Sequence, residues 1–288
     1  MRNKQAKKFN ALKAAVIIFL ALLSFLGTKF YNNEQEDTER PFSLTSLNVG
    51  QGLSVLIQAD GEYMLYDGGG RKASSYTVSY IQNTRQVPSF KYIFISHYDE
   101  DHLAGVVGVL NTIKTETVVS PDYAADTKIY ESYKEKLGEN GAEEIHPYLG
   151  QSFSLGGAKI QVIGPVDYTA DNENSRSVAV RIAYGSTSFI ITGDAEHSEE
   201  KDIINSGFNI KSDVYVVGHH GSSSSGSAAF LDAVSPRYAI ISVGENSYGH
   251  PTQKTLNALE SRNIEILRTD EKGEITFYSD GNRLSLEE

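Results

Sequence analysis

From residue 42 onward the chain carries short apolar runs separated by turn residues, then apolar runs alternating with segments of helical spacing. Residues 43–49 and 54–59 are β-rich and flank Gly50-Gln51-Gly52, and 63–66 follow an Asp60-Gly61 turn, so this stretch predicts a hairpin meander. Residues 92–96, 118–120 and 158–163 predict strands, while Leu103, Val106, Val107 and Leu110 give helical spacing over 103–113. A charged amphipathic helix is expected at 128–140, and a hairpin around Gly185 from 178–184 and 188–192. Helices at 196–206, 228–234 and 252–262 alternate with strands at 214–217 and 238–243, and strands close the chain. Strands mixed with intervening helices predict an α/β sandwich of two sheets with the helices outside. Residues 42–288 are read as one domain.

The N-terminus has a different pattern. Residues 1–30 carry six basic side chains and no acid, and they surround the apolar run 14–27 (AAVIIFLALLSFLG). As a helix this run spans about 21 Å, short of the ~30 Å hydrocarbon core. Extension to Tyr31, with Lys29 snorkelling to the interface, brings it near spanning length. Residues 1–31 are therefore expected to form a signal-anchor or transmembrane helix, and 32–41 a polar linker. The alternative is a cleaved signal peptide and a secreted body, although no good small-x-small cleavage site is present. Either way the basic start stays inside and the body lies outside the membrane.

Composition narrows the function. The whole chain is 40% hydrophobic and 22% charged, with seven prolines, which excludes a disordered, collagen-like or many-span protein. Without cysteine there is no disulfide, thiolate metal site or cysteine nucleophile. Beyond residue 30 the chain has 20 basic against 37 acidic side chains, a formal −17, unlike a nonspecific polyanion binder.

The densest candidate chemistry is Ile95-Ser96-His97-Tyr98-Asp99-Glu100-Asp101-His102, between a strand end and a helix start. His97, Asp99 and Asp101 occupy alternate positions, so an extended stretch points them to one side, and His102 follows as the chain turns. Imidazole and carboxylate groups this close suit divalent metal ions. A solvated acidic loop with a helix N-cap is the bland alternative. Other strand ends add to the cluster: Thr192-Gly193-Asp194, Gly218-His219-His220-Gly221-Ser222, and Tyr248-Gly249-His250-Pro251. Asp194 alone could be a turn residue. The serines after His220 resemble a linker by composition, but their position makes Ser222 a candidate substrate contact. His146 and His197 lack such a setting and read as surface residues.

Together with Asn48-Val49-Gly50-Gln51-Gly52, Asp67-Gly68-Gly69 and Asn174-x-x-Ser177, these motifs resemble, in order, the metallo-β-lactamase fold superfamily. The likeness is closest to the hydrolase domain of ComEC-type DNA-uptake proteins and their stand-alone relatives. It implies an αββα sandwich and two divalent ions, zinc or manganese. One ion would sit near His97 and Asp99, the other near Asp101, His102 and His220, with Asp194 bridging. Asp99 and Asn174 stand where many superfamily members have histidine, which makes the first position richer in oxygen and suits manganese better than an all-histidine site. Spacing does not choose between His219 and His220. With His220 as ligand, His219 or His250 contacts substrate or supplies a proton, alongside Asp101, and Asn174, Ser177 and Ser222 face substrate. The implied reaction is hydrolysis by a hydroxide held between the ions, on a phosphodiester such as single-stranded DNA or a cell-wall polymer. A teichoic-acid or phosphocholine-type phosphodiesterase and a lactonase are the enzymatic alternatives. A surface-anchored binding module in DNA uptake is the non-enzymatic one, against which the clustered ligands count.

Overall fold

In the computed structural model the described residues are 40–169 and 172–287, and the expected anchor at 1–31 lies outside them. Internal contacts divide the chain between Pro41 and Phe42. Among the described residues no helix is long and apolar enough to cross a membrane.

Strands β1 (Phe42–Ser46), β2 (Val55–Ala59) and β3 (Glu62–Tyr66) form the antiparallel meander, with Leu44 opposite Ile57 and Ile57 opposite Met64. They continue in parallel into β4 (Phe90–Phe94), β5 (Thr115–Val119) and β6 (Glu143–Ile145). The last strands, β14 (Ile275–Ser279) and β15 (Leu284–Leu286), return beside β1 and complete an eight-stranded sheet. The second sheet has seven strands. It runs from β7 (Ser152–Leu155), β8 (Ala158–Val162) and β9 (Val180–Tyr184) to β10 (Thr187–Ile191), β11 (Val214–Val216), β12 (Tyr238–Ile241) and β13 (Glu265–Arg268). From β10 to β13 the pairing is parallel.

Side-chain alternation explains the layering. Phe94, Val119, Phe189, Ile191, Val214, Val216 and Ile240 point into the core between the sheets. Their neighbours Ile93, Ile95 and Val118 face the helices of the first sheet, and Ile190, Tyr215 and Ile241 face those of the second. Buried on both faces, these strands read as continuous apolar runs. Helices α2 (Glu100–Leu110) and α3 (Lys128–Asn140) cover the first sheet through Leu103, Val106, Leu110, Tyr133 and Leu137. Helices α4 (His197–Asn205), α5 (Ala228–Val234) and α6 (Gln253–Glu260) cover the second through Ile203, Phe230, Leu231 and Leu259. Thr127, Ser227 and Thr252 cap α3, α5 and α6 with side-chain oxygens.

Two features depart from the sequence pattern. Residues 74–84 form α1 (Ser74–Ser79) and a π turn (Tyr80–Thr84), in a stretch of weak helix propensity with no side-chain cap. Tertiary packing supports it: Thr77 is buried and donates to Gly68 O at 3.0 Å. Strand β6 and a last short helix α7 (Thr269–Lys272) also lack a readable pattern, whereas β7 alternates exposed serine with buried Phe153 and Leu155 over only four residues.

Candidate metal centre

The carboxyl ends of β3, β4, β10, β11 and β12 lead into loops that meet at one edge of the two sheets. Asp67, directly after β3, organises the first sheet's share. It is fully buried in a left-handed conformation (φ 56°). Ser96 donates to it twice, N–H to Oδ1 at 2.8 Å and Oγ to Oδ2 at 2.6 Å, and His102 Nδ1 donates to Oδ2 at 2.8 Å. The turn after it packs backbone to backbone on α2, with Gly105 N donating to Gly69 O and Gly68 N to His102 O, each at 2.8 Å. A Cβ on Gly105 would lie 1.7 Å from Gly68 O, so glycine is obligatory there.

The second sheet supplies Asp194, whose backbone N–H donates to Ser177 Oγ at 3.1 Å, and the His219–His220 pair. Both histidines are left-handed (φ 51° and 53°), conformations that cost about 1–3 kcal/mol each and persist where surrounding contacts fix them. His220 Nδ1 donates to Ser242 O at 3.0 Å.

Each inner histidine thus has Nδ1 engaged, His97 with Ser96 Oγ at 2.9 Å, His102 with Asp67 and His220 with Ser242. The Nε2 atoms of all three are buried and make no hydrogen bond, and neither does Asp194 Oδ1. These atoms converge. Asp194 Oδ1 lies 3.3 Å from His102 Nε2, and its Oδ2 lies 3.6 Å from His220 Nε2. Asp101 Oδ2 is 3.4 Å from His220 Nε2. Two groups result, His97–His102–Asp194 and Asp101–His102–His220, each with ligand atoms within 4.8 Å of one another. Buried, unpaired donor atoms are costly unless something occupies the space between them. Imidazole nitrogen and carboxylate oxygen in this arrangement fit a divalent transition metal.

Electrostatics agree with a cation in that space. Burial opposes charge on His102, but Asp194, Asp101 and Asp67 outweigh it and raise its pKa well above the ordinary value. Burial likewise opposes charge on Asp194, yet His102 and His220 hold it well below the carboxylate range. Without metal the cluster retains protons, and a bound ion displaces them.

The expected residues separate by position. Asp99 Oδ2 reaches within 3.5 Å of His97 Nε2 from the solvent side but joins neither three-ligand group; His102 is common to both groups. Asn174 lies on the turn Asn174–Arg176, where its carbonyl accepts from Ser177 N at 3.1 Å. Ser177 is buried and occupied with Asp194 N–H, which makes it a support for that carboxylate. Ser222 Oγ lies 3.1 Å from Ser224 Oγ, and Ser224 Oγ lies 3.3 Å from His219 Nδ1. His219 Nε2 is 3.7 Å from Asp194 Oδ2, and the His250 ring packs 5.5 Å from that of His219. Burial, then His219 and His220, lowers the His250 pKa. His146 and His197 lie outside both groups. Sequence reasoning places Asp67 in a motif but gives it no role; a carboxylate directly after a strand, before two glycines, is the available signal. Ser96 and Ser242 give none.

Fold and site define a class, a two-sheet α/β protein with a histidine–aspartate centre at the sheet edge. The chain belongs to the metallo-beta-lactamase superfamily, whose profile matches residues 47–245. It is 31% identical to competence protein ComA of Neisseria gonorrhoeae over 259 residues, covering 89% of this chain and 35% of that protein. It is 32% identical to ComE operon protein 3 of Bacillus subtilis over 186 residues, covering 64% of this chain and 24% of that protein. The likeness to ComEC-type relatives is thereby borne out, and the chain spans about a third or less of their length. Among solved structures, the metallo-beta-lactamase fold protein YhfI from Bacillus subtilis superposes with a TM-score of 0.53 at 13% identity. That match covers 78% of this chain and 95% of YhfI, and it supports the fold.

Proposed function

We propose that the chain is a metal-dependent phosphodiesterase, with His97, His102, Asp194, Asp101 and His220 holding two divalent ions, zinc or manganese. The observation that carries this reading is the convergence of four buried, unpaired donor atoms, three imidazole Nε2 and one carboxylate oxygen. Divalent ions bound there supply a Lewis acid and lower the pKa of a water at neutral pH. The protein's own contribution is orientation. Asp67, Ser96 and Ser242 fix the imidazole tautomers through Nδ1, which leaves Nε2 for the ions. Ser177 holds Asp194 between the two groups. Asp99 closes the open side of His97 as a further oxygen donor. His219, over Asp194 and next to His250, passes a proton to the leaving oxygen.

A phosphodiester is favoured by the similarity to the competence proteins. The basic, apolar N-terminus supports an anchored chain with its body outside the membrane, and protease added to intact protoplasts then digests residues 42–288. The direct test is turnover of bis(p-nitrophenyl) phosphate by purified protein, with elemental analysis of the same sample. Manganese or zinc restores activity after chelation if the reading holds. Turnover confined to lactones, or bound metal without hydrolysis, defeats it.

A further inference from the structure

Beside the metal centre lies a groove of about 700 Å³, which Asp101 shares with it and which Gln51, Arg71, Lys72, Glu245 and Tyr248 also line. Arg71 is exposed and pairs with exposed Glu100 at 3.2 Å, a contact that adds little and yields readily to a phosphate. Lys72 is exposed beside it and joins no ion pair among the described residues. Of the lining carboxylates, Glu100 pairs with Arg71, Asp101 faces His220, and Glu245 is the third. Two exposed cations, Lys72 and the Arg71 that a phosphate can draw from Glu100, stand at the edge of the centre. On a chain that carries a formal −17 beyond residue 30, such local cations are the means by which an anionic polymer is held.

Tyr248 supplies a different chemistry. Its ring is 73% exposed, yet the turn that presents it is fixed. Asn246 Oδ1 accepts from Tyr248 N at 3.0 Å and His250 N at 3.1 Å, while Asn246 Nδ2 donates to Gly244 O and His250 O. A line of rings connects it to the centre: Tyr248 to His250 at 5.7 Å, His250 to His219 at 5.5 Å, His219 to His220 at 6.2 Å. A pre-positioned, solvent-facing aromatic next to cations is the composition of a stacking platform for single-stranded nucleic acid. Gln51 adds a third observation, because its buried Oε1 has no hydrogen-bond partner. An N–H on a base edge would satisfy it.

We propose that this groove is the subsite for the nucleotide adjacent to the scissile phosphodiester, with Arg71 and Lys72 on its phosphate and Tyr248 against its base. The assignment rests on the phosphodiesterase reading of the centre and adds to it the residues that would choose a base-bearing strand over a base-free polymer. It makes Tyr248 the residue that separates nucleic acid from wall polymers, which carry phosphodiesters without bases.

The experiment measures binding to the metal-loaded full chain by fluorescence anisotropy over a salt series. The probes are an oligothymidylate, an abasic strand of equal length and a poly(glycerol phosphate). Tyr248→Ala weakens oligothymidylate about tenfold, on the scale of one lost base stack, and the abasic strand far less. Tyr248→Phe, which keeps the ring, restores the difference. Lys72→Ala weakens both strands alike and flattens the slope of log affinity against log salt by about 0.7, as for one lost phosphate contact. Equal losses on both strands with Tyr248→Ala, an unchanged salt slope with Lys72→Ala, or wall polymer bound as tightly as oligothymidylate overturns the assignment. Turnover of bis(p-nitrophenyl) phosphate, measured separately, distinguishes the two readings. A chain that hydrolyses the ester but lacks the base dependence loses only the subsite. A chain that shows base dependence without hydrolysis keeps the nucleotide groove and loses the reaction.

Discussion

The metal centre has a closed inner wall and an open rim, and the two are built on different terms. In the inner wall, His97, His102, Asp194 and His220 are buried, and each histidine is oriented by a hydrogen bond at Nδ1. On the rim, the Asp99 and Asp101 side chains are 51% and 39% exposed, and Asp99 contacts only His97 among the ligands. Buried ligands are held by the fold whether or not an ion is present; rim ligands are free to adjust to the ion and the substrate. Under the proposed function, metal binding falls to the wall, and the choice of metal and substrate to the rim.

Removing the wall's carboxylate is the strongest way to break this division. Asp194→Asn keeps size and polarity but loses the negative charge beside His102 and His220, which in the proposed reading offsets both ions. Turnover of bis(p-nitrophenyl) phosphate then falls at least about a hundredfold, metal stoichiometry drops and the circular dichroism spectrum is retained. Full activity with unchanged metal content would remove the bridging role. One layer further back, Asp67→Asn removes the acceptor that fixes the His102 tautomer, and metal affinity falls about 10–100-fold in a chelator competition. Unaltered affinity would mean that Asp67 serves only the turn.

A rim substitution acts more gently. Asp99→His exchanges an oxygen donor for nitrogen beside His97, so under matched loading the metal preference moves from manganese towards zinc, several-fold at most. If preference is unchanged, Asp99 does not reach the ion.

The smallest effect separates two kinds of buried carboxylate. Asp194 is buried among imidazoles and held low, whereas Glu199, on α4, is buried without a cation and pushed up to about 7, chiefly by burial. Between its ordinary value of 4.5 and about 7, the folded chain binds more protons at Glu199 than the unfolded chain does. Stability therefore falls as pH rises through that window. Glu199→Gln keeps the acceptor for Val166 N–H and raises the melting temperature by a few degrees at pH 8, with little change at pH 4. An equal shift at both pH values would place the effect in packing instead of ionisation.

Much of this molecule is readable along the chain because its information is local. The alternation of side chains between the two buried faces in runs such as 189–191 and 214–217 follows from strand geometry, and helical spacing through Leu103, Val106 and Leu110 follows from the turn of the helix. His97, Asp194 and His220 follow strand ends and Asp101 and His102 open the next helix, where an apolar run stops and polar residues begin, so their place in the chain alone marks them as candidates. Tertiary structure alone decides what those candidates do. The Asp67 contacts with Ser96 and His102 span 29 and 35 residues, and the Gly68–Gly105 approach that docks α2 has no periodic signature. The same distance in sequence hides that His102 is common to both ligand groups while Asp99 stays on the rim, and that α1 is helical against its propensity. Sequence sets which face each side chain takes on its own element. Only the packing of the two sheets against each other determines which unpaired atoms meet.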